Sequence, residues 1–200
     1  MKGSLIIVGF FVLGTICGVC HLLPFDIAET NISYYALCAL MFSVGLSVGN
    51  APQTLKNFRS LNPRLVFLPI MTILGTLAGS AAVSLILTHR SITDCLAVGS
   101  GFGYYSLSSI FITEYKGAEL GTIALLANIS REILTLLAAP LLVRWFGNLA
   151  PISAGGATTM DTTLPIITRT AGQQFVVVSI FHGFVVDFSV PFLVTLFCSI

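Results

Sequence analysis

Glu132 sits near the middle of an apolar run, residues 120–143. As a helix that run is about 36 Å long, enough to cross the roughly 30 Å of hydrocarbon in a bilayer. A carboxylate at that depth costs about 2.5 kcal/mol or more to insert. Chains carry one there when it pairs, titrates or holds a cation. Arg131 precedes it, and Asn128 lies one turn back on the same face. Adjacent helical residues point about 100° apart, so Arg131 is expected to pair with another segment, Asp161 being the natural candidate. A carboxylate balanced between desolvation and a neighbouring cation can exchange a proton for a cationic solute. That is the least machinery an antiporter needs. Asp161 and Asp187 also fall at membrane depth. Each of the three acids has two readings: an ion-binding group, or a satisfied polar group that glues helices together.

Two oxygen-rich stretches accompany these acids. Gly99-Ser100-Gly101-Phe102-Gly103-Tyr104-Tyr105-Ser106 has the glycine content of a nucleotide loop, but no strand precedes it, so that reading fails. Bare peptide groups lining a cavity fit better. Gly101 and Gly103 would let a ligand reach the backbone, and Ser106, Ser108 and Ser109 add hydroxyls. Tyr104 and Tyr105 either face a cation or are interfacial aromatics. Thr158, Thr159, Asp161, Thr162 and Thr163 form the second cluster, ahead of Pro165. Such oxygens suit an ammonium group or a hard cation; threonines in membrane helices also bond back to their own backbone. His182 is read as an interhelical hydrogen bond or a proton relay.

The elements that must position these groups follow from composition. The chain has 200 residues, 56% hydrophobic and 8% charged, against about 25% charged in soluble domains. The fold class is an all-α membrane protein. A net charge of +1 argues against nucleic acid as a partner. Of the five cysteines, Cys17-x-x-Cys20 has redox or metal spacing, but no second pair completes a site; small apolar packing residues are the alternative. Residues 5–23 follow Lys2 but outrun a signal-peptide core and lack a cleavage pattern. They are read as the first transmembrane helix.

Five spans are expected, over residues 5–23, 32–48, 65–87, 120–143 and 174–197. Residues 92–113 and 151–170 are apolar but interrupted, as broken crossing helices or re-entrant hairpins; irregular backbone at membrane depth needs protein or a wet cavity around it, and such breaks mark binding sites in transporters. Charge placement favours hairpins, an inside N-terminus and an outside C-terminus: the Lys and Arg totals hardly differ between the two readings, but crossing would move the acidic cluster around Lys116 to the inside. Each hairpin is then followed by a span, giving two consecutive units inverted relative to each other. Residues 1–200 are read as one domain, with a three-helix part over 1–90 and a core over 91–200. Gly14-x3-Gly18, Gly45-x3-Gly49 and Gly75-x3-Gly79 permit close helix approach.

Four stretches resemble the bacterial lysine exporter family: GSGFGYYSLSSIFITE from Gly99, LLANISREILTLLAAPLL from Leu125, GGATTMDTTLPIITRT from Gly155 and IFHGFVVDFSVPFL from Ile180. The resemblance implies a non-enzymatic, multi-pass transporter of the bacterial inner membrane. It implies export of L-lysine or a similar cationic amino acid, by exchange for H+ or Na+, with no other cofactor. The family's two motif acids fall on Glu132 and Asp161, which implies ion coupling and substrate recognition there. Asn128 and Arg131 match the same helix motif; Thr158, Thr159, Pro165 and Arg169 match the second. Asp187 departs from the pattern. Longer members carry further residues before the matched region. The expectation is therefore a partner, either a second copy or a small membrane protein supplying the missing N-terminal spans. A membrane subunit that does not itself transport is a second alternative. An intramembrane hydrolase, using Asp161 with Asp187 or Ser106 with His182, is a third, although the local motifs of neither hydrolase class are present.

Overall fold

The computed structural model describes residues 13, 14, 16–20, 35, 42, 63–87 and 89–200. The chain divides into two compact units, Met1–Ser43 and Val44–Ile200. In the first, residues 13, 14, 16–19, 35 and 42 are helical. The rest of the spans expected over 5–23 and 32–48, and the pair Gly45 and Gly49, lie outside the described residues.

In the second unit, a 3-10 turn (Pro63–Phe67) leads into α1 (Leu68–Ser84). Two short helices follow, α2 (Ile92–Gly99) and α3 (Tyr105–Lys116), and then the long α4 (Ala118–Phe146). Helix α5 (Ala150–Gly155) runs into a 3-10 turn (Gly156–Met160), followed by α6 (Leu164–Ala171). A 3-10 turn (Gln173–Phe175) opens α7 (Val176–Ser199). All regular structure among the described residues is helical. Among the described residues, three helices are long and apolar enough to cross a membrane: Leu65–Ser84, Ala118–Phe146 and Gln173–Ser199.

Local sequence sets the boundaries. Ser91 caps α2 by accepting the Asp94 N–H at 3.0 Å. Proline stands in the first turn of α1, α5 and α6, where its missing N–H has no helical partner to lose. Gly117 ends α3 and begins α4 at φ 92°, so the chain reverses within one residue; a side chain there would be strained.

The two interrupted segments are helical hairpins that return to the end they came from. Asp94, near the start of α2, pairs with Lys116 at the end of α3 at 3.9 Å, and Arg90 pairs with Glu119. Both ends of residues 92–116 therefore lie at the beginning of α4. Its deepest point is beside Asn128, which reaches the Val98 carbonyl at 3.2 Å. The second hairpin enters from the other end of α4. Ile152, Ile167, Ala171 and Val178 form an apolar cluster there with Leu68, Val143 and Leu149, while the carbonyls of Ser153 and Ala154 reach Arg131 in mid-helix.

Polar side chains are buried beside the apolar core, and large apolar ones face outward. Asn128, Glu132, Thr135, Thr159, Ser179 and His182 are buried, while Leu134, Leu137, Phe188 and Phe192 are exposed. Exposed apolar faces of this extent suit contact with lipid. Helix association in lipid rests on van der Waals fit and internal hydrogen bonds rather than on water exclusion.

Candidate functional site

The hairpin tips meet beside the middle of α4. The Ala157 N–H donates to the Phe102 carbonyl at 2.9 Å. The approach is this close because position 156 lacks a side chain: Gly156 lies at φ 63°, and a Cβ there would strike the Phe102 oxygen. Phe102 itself is fully buried and adopts φ 45°, a conformation that bulky residues rarely hold unless their surroundings enforce it.

Asn128 and Arg131 on α4 supply that enforcement. The Asn128 Oδ1 accepts the Gly103 N–H at 2.8 Å, and its Nδ2 donates to the carbonyls of Val98 (3.2 Å) and Ala124 (2.9 Å). A Cβ on Gly101 would collide with Asn128 and Ser108. The backbone at Gly101 and Gly103 is thus packed on Asn128. Arg131 donates through Nε to Ala154 O at 2.8 Å and through Nη2 to Ser153 O at 3.0 Å. Its guanidinium lies 5.8 Å from the centre of the Phe102 ring.

The expected partner of Arg131 is therefore corrected: no ion pair with Asp161 forms among the described residues. The flat, forked guanidinium matches two successive carbonyls in the last turn of α5, which have no helical donors of their own. One side chain holds both tips, by hydrogen bonds to the second and by its face to the first.

The threonine cluster splits. Thr158 and Thr159 are buried. Their hydroxyls donate to the carbonyls of Gly155 (2.9 Å) and Gly156 (2.8 Å), the bond-back pattern. Asp161 and Thr162 are exposed, and the Thr162 N–H donates to the Asp161 carboxylate. Ser106 is half-buried in the first turn of α3. Glu132 is fully buried on α4. Asp161 lies within electrostatic reach of both Glu132 and Asp187. The structure thus brings Asn128, Arg131, Gly101 and Gly103 together at the seam, with Thr158 and Thr159 just behind it. Asp161 and Thr162 stand at its open side.

His182 is buried as an interhelical link. Its Nε2 lies 2.9 Å from Thr72 Oγ1 and its Nδ1 lies 3.2 Å from Thr159 Oγ1. Thr72 in turn donates to Ser153 Oγ at 3.1 Å. Ser106 is not among these partners. Cys17, Cys20, Cys95 and Cys198 are free thiols. No group of three or more His, Cys, Asp or Glu positioned to hold a metal ion occurs among the described residues.

Sequence reasoning missed Thr72, Thr76 and Ser80, the inward stripe of α1. Thr72 meets His182, Thr76 lies 3.5 Å from Arg131, and Ser80 fills the space beside Gly99. Their spacing of four was the available signal.

The two hairpin tips thus meet at a seam beside α4, the helix that carries the buried Glu132. The family model described as lysine exporter LysO matches residues 8–198. The lysine exporter LysO of Escherichia coli is 36% identical over 98% of this chain, which spans 64% of that protein's length. A Haemophilus influenzae protein, provisionally named a lysine exporter, is 34% identical over 98% of this chain and 96% of its own. No solved structure matches. With the family model covering nearly the whole chain, this protein belongs to the lysine exporter LysO family, a family of transporters and not of enzymes.

Proposed function

We propose that the protein is a secondary transporter that exports L-lysine or a similar cationic amino acid across the bacterial inner membrane in exchange for H+ or Na+. The observation that carries this reading is the tip-to-tip seam, with Ala157 bonded to Phe102, set against the fully buried Glu132. Half-helices ending in mid-membrane are how transporters place backbone dipoles around a substrate, and an acid at that depth is a functional group by default. On this reading the two segments are re-entrant hairpins from opposite faces of a multi-pass protein. Glu132 and Asp161 bind the coupling ion and the substrate's cationic groups. Asn128, Arg131, Gly101 and Gly103 hold the seam in shape. Ser106, Thr158, Thr159 and Thr162 contribute oxygens when the seam parts.

Uptake of labelled lysine into inside-out vesicles tests the proposal. Wild type accumulates lysine when an ion gradient is imposed. Glu132→Gln, which cannot titrate, loses at least about tenfold in rate, in the range of a displaced general acid or base. Transport by that variant at the wild-type rate with the same pH dependence removes the role. Two assemblies fit, a second copy or a small membrane protein. Reconstituting the chain alone in liposomes separates them: activity alone fits self-association, and activity only after the second protein is added fits a split transporter.

A further inference from the structure

Acids can answer the cationic groups of an amino acid, but they repel its α-carboxylate. Arg131 is a charge of the right sign to hold that group. It lies in mid-helix on α4, and among the described residues no acid pairs with it: the ion pairs there join Arg90 to Glu119 and Lys116 to Asp94. Neutral carbonyls satisfy its hydrogen bonds without cancelling its charge. A guanidinium has five N–H donors. Nε and Nη2 donate to the carbonyls of Ala154 and Ser153. Nη1 has only Thr76 Oγ1, at 3.5 Å, the far limit of a hydrogen bond. Phe102 covers a face of the group and not an edge. The end formed by Nη1 and Nη2 is therefore a fork with spare donors, and such a fork fits a carboxylate through two parallel bonds.

A second observation fixes where that fork stands. A Cβ built on Gly156 would strike the Phe102 oxygen and lie 3.3 Å from Arg131 Nη2. The acceptor of the tip-to-tip bond and the fork thus flank the same bare position. When the tips open, the Ala157 N–H loses the Phe102 carbonyl and is left without an acceptor next to a cation. An orphaned donor in a buried setting is unfavourable. A carboxylate answers the N–H and the guanidinium at once.

We propose that Arg131, together with the Ala157 N–H freed when the tips open, binds the α-carboxylate of the transported amino acid. The proposal rests on the export reading and names the contact that admits amino acids and turns away diamines. A clamp alone is the rival. Arg131 then only ties the tips to α4, and a ligand's carboxylate makes no difference to binding.

The test uses the purified full chain in detergent and the displacement of labelled lysine by lysine, lysinamide and 1,5-diaminopentane. Lysinamide keeps both amino groups and replaces the carboxylate by a neutral amide; the diamine omits it. In wild type, both displace labelled lysine about 30-fold more weakly than lysine does, equivalent to about 2 kcal/mol. Arg131→Lys keeps a charge and loses the fork. It weakens lysine and leaves lysinamide unchanged, so the ratio between the two shrinks; a clamp alone would weaken both alike. A second measurement needs no variant: reaction of Arg131 with phenylglyoxal, read by mass spectrometry, is slowed by lysine but not by lysinamide at a concentration giving equal displacement. Should the variant fail to fold, the wild-type ratio and this protection decide. Equal displacement by lysine and lysinamide in wild type, an unchanged ratio in a folded Arg131→Lys, or no lysine binding at all overturns the proposal. Vesicle transport is scored separately. If wild type moves no lysine but lysine still protects Arg131 where lysinamide does not, the export reading fails and the carboxylate site stands. If lysine is transported and lysinamide inhibits it as well as unlabelled lysine does, the carboxylate site fails and the export reading stands.

Discussion

At the scale of single residues, the seam depends on Asn128. Asn128→Leu leaves the buried Gly103 N–H without its acceptor, while the Val98 carbonyl keeps the Gly101 N–H. The expected loss is about 1–3 kcal/mol for the one unsatisfied group, measured by thermal unfolding in detergent. Gly156→Ala forces a Cβ against the Phe102 oxygen and requires a positive φ of an alanine. Gly75→Ala is the control. Nothing among the described residues lies within 4 Å of a Cβ there, so the alanine is expected to be neutral or to stabilise α1 by up to about 1 kcal/mol. Gly156→Ala lowers the melting temperature and Gly75→Ala does not; equal behaviour of the two would contradict the seam geometry.

At the scale of elements, Arg131 ties two hairpins to one helix. Arg131→Lys keeps the charge and loses the fork. An ammonium cannot meet the carbonyls of Ser153 and Ala154 while lying flat on Phe102. A loss of about 1–2 kcal/mol in unfolding free energy is expected, on the order of one or two hydrogen bonds. The sequence made the hairpins legible because glycine, proline and hydroxyl residues interrupt apolar runs at 99–103 and 155–165. It could not reveal what Arg131 holds, because a backbone carbonyl leaves no mark on residue type. Asp161 is the opposite charge visible in the sequence, so residue type alone points to it. The stripe Thr72, Thr76 and Ser80 was present at helical spacing, and overlooking it made α1 look like a plain apolar span. The placement of Glu132 at the protein's centre was readable because a carboxylate in an apolar run has few other places to go. The exposure of Asp161 was not, since it depends on how the second tip turns.

At the scale of the whole molecule, the two hairpins give α4 ends that differ in what they gather. Lys116 lies with Arg90, Asp94 and Glu119 at one end, and Gly147 closes the other, 29 helical residues away, about 43 Å. Of single cysteines placed at 116 and 147, in a background without other cysteines, one should react with a membrane-impermeant thiol reagent in intact cells and the other only after permeabilisation. Labelling from the same face would show that α4 does not cross. The bond between Ala157 and Phe102 has a wider consequence. It joins peptide group to peptide group, so the side chain at 157 can change without removing it, proline excepted because it lacks the donor, whereas any side chain at 156 crowds the acceptor. On the export reading, that bond and the Arg131 contacts to both tips close the path between two compartments at this point, and any solute that passes must wait for the tips to part and rejoin.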